Sequence, residues 1–343
     1  MGNLDARVEG LAVRAARGHL TGAGWEELVE LTALRGHVLG RVDDAERAAS
    51  LAEAFVARAP GDPRARVARA RSAALFHRFP AALADLDAAA ALGLDGRSLD
   101  EERAAVLQAV GRYDEALALR RHALSKRPDF DALTALARWH AECGEPAEAE
   151  RWFLAARCGC RGVSPFPLAE LEFQCGQAWL AKGDPARARV WLGAAVRRLP
   201  PHVPARAGLA GADAAQGRTS AAIGVLRRLA LDSDDPRYAA QLAAVLADGQ
   251  APSEARYWCA LAADRYGRLM RRHPEAYADH AAEFWLTVGG DPGRALRPAL
   301  HNLALRPTPR ARALVERARC RVGQHPRGPR STPVVRRSTE GTR

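Results

Sequence analysis

Apolar residues recur at intervals of three and four along almost the whole chain, from about Leu4 to Cys320. This period places the apolar side chains on one face of an α-helix, so each stretch predicts a short amphipathic helix. Glycine, proline and aspartate interrupt the pattern at short intervals and predict tight turns between the helices. No stretch shows the apolar and polar alternation of a strand, so the sequence predicts an all-α fold.

Similar turn motifs divide the helical pattern into units. They are GRYDEAL at Gly111, GEPAEAE at Gly144, GDPARAR at Gly183, GRTSAAI at Gly217, GQAPSEA at Gly249 and GDPGRAL at Gly290. An alanine near the start of the second helix marks each unit, and the eight markers are Ala48, Ala82, Ala116, Ala149, Ala188, Ala222, Ala255 and Ala295. Successive markers differ by 34, 34, 33, 39, 34, 33 and 40 residues. A base period of 34 with two longer links predicts stacked helix pairs.

A small residue lies twelve positions before the marker in seven of the eight units. The small residues are Gly36, Ala70, Ala104, Ala137, Gly176, Ala210 and Ala243, and the exception is Glu283. Where two helices cross at close range, a side chain larger than alanine would push them apart. We therefore expect these positions to be the crossing points of the helix pairs.

The pattern resembles the tetratricopeptide repeat (TPR) family over roughly residues 32–307. The unit from Ala169 to Pro200 carries the resemblance best, with Gly176, Ala188 and Trp179, the last in place of the usual tyrosine. In the first three units, Arg35, Arg69 and Arg103 stand where the family has leucine. The resemblance implies a right-handed α-solenoid superhelix of about eight helix pairs, in which the first helix of each pair lines the concave face.

The expected organisation has four segments. Residues 1–28 form an N-terminal capping helix, 29–307 the repeat array, 308–321 a C-terminal capping helix, and 322–343 a disordered basic tail. The longer links lie near 157–170 and 262–280. The second link predicts a helix that is prolonged to His273 and stopped by Pro274.

The formal net charge of the 343-residue chain is +11, and Lys126 and Lys182 are its only lysines. Clustered cations are typical of proteins that bind nucleic acid or an acidic partner. The arginines here are instead scattered among acidic residues, which favours the codon bias of a genome rich in G and C. Nucleic acid is therefore the less favoured class of partner.

The six cysteines fall mostly on separate predicted helices, which predicts free thiols. The first ten residues, MGNLDARVEG, lack the apolar core of a signal peptide. No apolar run approaches the ~18 residues that span a bilayer. We therefore expect a cytoplasmic protein.

The repeat register predicts which residues face the groove of the concave side. They are Arg64, Arg71, Arg138, Phe173, Gln177, His280 and Phe284. Arginine forks and aromatic side chains on a bent surface are suited to a peptide segment or a partner protein. The lysine and asparagine clamp with which one subtype of the family binds chaperone tails does not occur at the corresponding positions, so we expect no binding of that kind.

Two clusters carry residues with metal or acid-base chemistry. Cys143 and Cys158 lie at opposite ends of one predicted helix, which is too long to bring them into one zinc site. The segment HPEAYADHAAEFW contains His273, Glu275, Asp279, His280 and Glu283, which suit either a functional cluster or helix capping. No phosphate-binding loop or nucleophile motif is present, so we expect no catalysis, cofactor or metal.

These observations favour a non-catalytic scaffold or adaptor that binds a peptide segment or partner protein in its concave groove. Two alternatives stay open: a nucleic-acid-binding helical repeat protein, and an accessory subunit of an enzyme complex.

Overall fold

The computed structural model describes residues 1–94, 96–248 and 251–324. Over these ranges the chain forms eighteen α-helices and no strand. The helices are α1 (Gly2–Ala16), α2 (Gly22–Leu39), α3 (Val42–Arg58), α4 (Pro63–Leu75), α5 (Phe79–Ala91), α6 (Gly96–Ala109), α7 (Tyr113–Lys126), α8 (Phe130–Glu142), α9 (Pro146–Gly159), α10 (Pro165–Ala181), α11 (Pro185–Arg198), α12 (Val203–Ala215), α13 (Thr219–Asp232), α14 (Pro236–Asp248), α15 (Pro252–Arg272), α16 (Pro274–Leu286), α17 (Pro292–Leu305) and α18 (Pro309–Gln324).

Helices α2 to α17 form eight consecutive pairs, from α2 with α3 (pair 1) to α16 with α17 (pair 8), and α1 and α18 pack on the two ends. This arrangement confirms the predicted all-α superhelix of helix pairs. Helix α2 begins at Gly22, inside the segment 1–28 that was expected to hold only a cap. Helix α18 continues through residues 322–324 of the expected tail, and the rest of that tail lies outside the described residues.

Turn chemistry explains where the helices begin and end. Asp184 caps α11 by accepting the backbone N–H of Arg187 at 2.9 Å, and a proline follows in the first turn. Gly183, just before it, has a φ of 80°, the left-handed conformation that ends the preceding helix. The same turn recurs with glycine in most pairs. In pair 2 the left-handed residue is His77, with a φ of 56°.

The predicted crossing points are confirmed for most pairs. All eight marker alanines are buried. At Gly176 an added Cβ would lie 2.5 Å from Cγ of Leu192, so the two helices of pair 5 require glycine at this point. In the last pair the fully buried small residue is Ala282, one position before the expected Glu283. The register of α16 is therefore shifted by one residue.

Arginines can replace the family's leucine in the first repeats because each forms hydrogen bonds to a nearby carboxylate. Arg35 is buried and donates from Nε to Asp44 at 2.9 Å. Arg69 donates from Nε to the buried Asp85 at 2.8 Å. Paired, hydrogen-bonded charges of this kind can occupy an interior that would not accept a lone charge.

Successive turns of the superhelix touch along a line of contacts that we call the seam. Asp234 accepts the backbone N–H groups of Val42 and Asp43 at 2.7 and 3.0 Å. Farther along, Nδ1 of His77 lies 3.1 Å from the carbonyl oxygen of Glu275. These contacts join pair 1 to pair 7 and pair 2 to pair 8, so one turn takes about six pairs.

The two longer links differ in structure. The first contains a short loop, residues 160–164, between α9 and α10. In the second, α15 extends over 21 residues to Arg272, and α16 begins at Pro274. The C-terminal end of α15 reaches the seam, where Nε2 of His273 lies 2.7 Å from Glu46. None of the helices in the described ranges is long and apolar enough to cross a membrane.

Candidate partner-binding surface

The first helices of the pairs line the inner face of the superhelix. First helices of adjacent pairs contact one another, as α2 does with α4 and α10 with α12, and α2 also reaches α12 across the turn. The residues directly after the crossing positions lie on this face. Arg71, Arg138 and Gln177 were predicted there. His37 holds the same register position and was missed, although counting from Gly36 would have found it.

The inner face of the first three pairs is acidic. Arg71 on α4 donates from Nε to Glu102 of α6 at 2.6 Å and also contacts Glu30 and Glu26 of α2. One guanidinium faces three carboxylates, which leaves an excess of negative charge. Burial and the neighbouring Glu30 raise the pKa of Glu26, as expected for carboxylates that repel each other. We call these four residues the acidic end.

Arg64 has a local partner. It lies in the first turn of α4 and donates from Nη2 to Asp62 at 2.8 Å, and the same carboxylate caps the helix. The structure therefore places Arg64 at the start of a helix, where it is paired with Asp62 and also attracts Glu26 of the acidic end.

Two arginines lie farther along the inner face. Arg138 is exposed on α8. Arg120 extends from the second helix α7 and donates from Nη2 to Oε1 of Gln108 at 2.7 Å. The amide of Gln108 in turn lies 3.5 Å from the carbonyl oxygen of Arg138. We call Arg120 and Arg138 the basic pair. The repeat register did not predict Arg120, because it lies on a second helix.

Phe173 and Gln177 lie on α10, the first helix of pair 5. Gln177 is exposed. The ring of Phe173 is half-buried, with its centroid 6.3 Å from that of His37 and 5.1 Å from that of His202. Phe173 therefore packs against the opposite turn of the superhelix and offers only part of its ring to a partner.

Beside Phe173, two histidines bind one carboxylate. Nε2 of His37 lies 2.8 Å and Nε2 of His202 3.3 Å from Oε2 of Glu170. Burial alone would raise the pKa of Glu170, but the hydrogen bonds from His202 and His37 hold it well below its usual range. The cluster joins α2 to α10 and α12 and forms part of the seam.

The same three residues have the composition of a metal site, the one such group found in the described part of the chain. Ligand atoms of a tetrahedral zinc site are about 3.3 Å apart, close to the 2.8 and 3.3 Å between the two histidine nitrogens and the carboxylate. However, Nδ1 of His202 accepts the backbone N–H of Ala205 at 3.2 Å. The ring proton therefore resides on Nε2, where it is donated to Glu170, and that nitrogen has no lone pair for a metal. The arrangement is that of a hydrogen-bonded cluster.

His280 lies on a cavity of about 260 Å³ at the seam. His77, Arg237 and Tyr277 also line this cavity. Burial, together with Arg237, lowers the pKa of His280. Burial, reinforced by Arg306, lowers the pKa of His77.

The prediction that Phe284 faces the groove is wrong. Phe284 is 3% exposed, and its ring centroid is 5.1 Å from that of Tyr266 in the core. The cause is the one-residue shift of α16, which turns the residue after Glu283 inward. Glu283 itself is half-exposed and pairs with Arg317 of the capping helix α18.

The His, Asp and Glu residues of the last unit do not all converge on one site, although Asp279 lies 3.9 Å from His280. His273 pairs with Glu46 and Glu283 with Arg317. Asp279 lies 3.8 Å from the guanidinium of Arg306. These side chains serve separate contacts along the seam and at the capping helix.

Comparison with known proteins identifies the repeat. Residues 180–246 match the family model of the tetratricopeptide repeat. No curated protein matches the chain. A chain in the crystal structure of the APC/C hetero-tetramer Cut9-Hcn1 is similar with a TM-score of 0.52 and 16% identity, covering 85% of this chain and 55% of that one. The present chain thus spans about half the length of that relative.

Two further structures have similar folds. Human IFIT1, solved as a dimer with PPP-AAAA, gives a TM-score of 0.57 and 16% identity over 84% of this chain and 73% of that chain. A monomeric IFIT1 mutant with m7Gppp-AAAA gives 0.58 and 14% over 91% and 76%. At these identities the likeness concerns the fold. The family match thus identifies a tetratricopeptide repeat over residues 180–246, and the repeated helix pairs extend the same fold along the described residues.

Proposed function

We propose that this protein is a non-catalytic interaction scaffold that binds an extended segment of a partner protein along its inner face. The observation that carries the proposal is the mixed charge of that face. The acidic end lies on α2 to α6, and the basic pair follows at α7 and α8. A segment with charges of both signs would be complementary to such a surface.

The seam supports this role because it holds the helix pairs in fixed relative positions in the unbound protein. A repeat array that contacts only its neighbours can flex along its length. Here Asp234 ties α3 to the segment before α14, and Glu275 holds the turn at His77. A pre-formed surface spends less binding energy on ordering itself.

A nucleic acid is the second candidate, because the similar IFIT1 structures contain PPP-AAAA and m7Gppp-AAAA. The acidic end argues against it. Glu26, Glu30 and Glu102 would repel a chain of phosphates on the same face that Arg138 would attract. A protein partner is therefore favoured. An accessory subunit of an enzyme complex would use the same surface for its partner.

Site-specific photo-crosslinking tests the proposal. A photoreactive phenylalanine at Gln177 would report on the inner face, and one at Arg256, exposed on the second helix α15, on the outer layer. We expect a nuclease-resistant crosslink to a protein from Gln177 that weakens in the Arg138→Ala variant. Crosslinks from Arg256 alone, or loss of every companion after nuclease treatment, would contradict the proposal.

A further inference from the structure

Arg120 is a buried arginine without a carboxylate. Its residue is only 7% exposed. Nη2 donates to Gln108, but Nε is buried and has no hydrogen-bond partner. In the described ranges no carboxylate oxygen lies within 4.0 Å of its guanidinium. The positive charge of Arg120 is thus buried beside Gln108 without a carboxylate in contact.

The acidic neighbours of Arg120, Asp100 and Glu101, line the same small cavity but form no ion pair with it. Arg138 repels it, and Glu101 attracts it from farther away while contacting Arg97 at 3.3 Å. Burial, with the repulsion from Arg138, lowers the pKa of Arg120 to about 10. The group still carries its charge at neutral pH.

Two other arginines of this chain, one buried and one half-buried, do have a carboxylate partner. Arg35 is 9% exposed and has Asp44 as a bidentate partner. Arg69 has the buried Asp85 in the same way. A buried charge without a partner destabilises a fold, so the missing carboxylate at Arg120 indicates an anion from outside the chain.

We propose that the basic pair, Arg120 and Arg138, receives an acidic side chain of the bound partner segment. This inference rests on the proposed function and adds the chemistry of the partner. Arginine forks bind carboxylates through two parallel hydrogen bonds, and Arg138 is exposed beside the buried Arg120 to complete such a site. The same segment places a basic side chain at the acidic end.

The fold fixes the distance between the two charges of the partner. The acidic end is centred on Arg71 of α4, and Arg138 lies on α8, two first helices away. Adjacent packed helices are about 8–10 Å apart, so the separation is about 16–20 Å. An extended chain rises about 3.3 Å per residue, and the two charges are therefore about five to six residues apart.

The inner face continues past the basic pair, which favours an internal acidic residue over a chain end. Gln177 on α10 is exposed there, and Gln241 on α14 donates to the carbonyl oxygen of Ala207 at 3.0 Å. Amide side chains along this stretch suit the polar backbone of a segment that runs on through the superhelix.

A peptide array tests the inference with the full chain. Twelve-residue Ser/Ala peptides with amidated ends carry one Arg and one Glu at separations of two to ten residues, and free-ended copies and a short RNA are included. We expect binding to peak at about five to six residues, and to fall at least tenfold for the Arg120→Met and Arg138→Ala variants. The Arg256→Ala variant is the matched control and should bind like the wild type.

Several outcomes would overturn the inference. They are binding that is independent of the Glu position, binding that Arg120→Met leaves unchanged, stronger binding of the free-ended peptides or the RNA, and no binding of any peptide. The proposed function is judged separately by whether a nuclease-resistant crosslink to a protein forms from Gln177 in the wild-type chain. If a protein is crosslinked from Gln177 but the peptide array fails, the proposed scaffold function stands and the inference about the basic pair is wrong.

Thermal unfolding gives a second, ligand-free test. If Arg120 binds a partner's carboxylate and does not stabilise the fold, replacing it with Met removes an uncompensated charge and should raise Tm by about 1–2 °C. The matched change Arg35→Met, which leaves Asp44 without its partner, should lower Tm. A lower Tm for Arg120→Met would show a structural role for this arginine and count against the inference.

Discussion

Replacing Asp234 with alanine tests whether the seam holds the superhelix together. The carboxylate of Asp234 accepts two backbone N–H groups at the start of α3, from Val42 at 2.7 Å and Asp43 at 3.0 Å. It thus acts as an N-cap for a helix about 190 residues away in the chain. The variant Asp234→Ala removes both hydrogen bonds and leaves the rest of α3 intact.

The expected loss follows from the number of donors left without an acceptor. Losing a side-chain cap costs about 0.5–2 kcal/mol, and bonds to a charged acceptor lie at the upper end of the range for hydrogen bonds. With two donors affected, we expect the free energy of unfolding to fall by about 2 kcal/mol. Urea unfolding measures this loss, and amide hydrogen exchange at Val42 and Asp43 locates it.

Asp184→Ala is the matched control. Asp184 caps α11 by accepting one N–H, from Arg187, within its own repeat. We expect a loss of about 1 kcal/mol, with faster exchange only at the start of α11. Unchanged exchange at Val42 and Asp43 in Asp234→Ala would refute the seam, because these amides would then have no distant acceptor to lose.

Three further predictions concern pH, the core and metal ions. Because burial lowers the pKa of His77 and His280 below the usual value of about 6.5, they stabilise the fold above that pH, and this contribution is lost as the pH falls through their lowered pKa values. In the variant His77→Asn, asparagine tolerates the left-handed conformation, and the free energy of unfolding should fall less than in the wild type between pH 7.5 and 5.5. Urea unfolding measures this change, and a fall equal to that of the wild type would contradict the prediction. Phe284→Ala should lower the free energy of unfolding by about 3–5 kcal/mol and Phe173→Ala by less, and the reverse order would place Phe284 outside the core. EDTA should leave Tm unchanged, since His202 has no free nitrogen for a metal, and a drop in Tm would disprove the tautomer assigned to it.

The repeat could be predicted because its physical causes are local and periodic. The spacing of the marker alanines follows from the length of a helix pair, and a glycine such as Gly176 follows from the contact with Leu192. For Arg35, one of the arginines in place of leucine, the partner Asp44 is also near in the chain, nine residues later. In α16, counting twelve residues back from the marker Ala295 pointed to Glu283, whereas Ala282 lies at the crossing.

The seam and the basic pair could not be predicted for the opposite reason. The contact of His77 with Glu275 spans 198 residues and has no periodic counterpart in the chain. Arg120 lies on a second helix, and its hydrogen bond to Gln108 depends on how α6 and α7 pack. Such features arise from the curvature of the whole array, which repeat spacing does not determine.

The seam also fixes the distance between the acidic end and the basic pair on the inner face. In a solenoid held only by contacts between neighbours, small changes at each interface would alter the distance from the acidic end to the basic pair. Here the turn after α2 is held at Asp234 and the turn after α4 at Glu275, while Arg306 donates to the carbonyl oxygen of Ala109 at the end of α6 at 2.9 Å. The helices that carry the acidic end are thus anchored one after another to the opposite turn. Loosening the seam with Asp234→Ala should therefore broaden the preferred charge separation in the peptide array, whereas Asp184→Ala should leave it sharp.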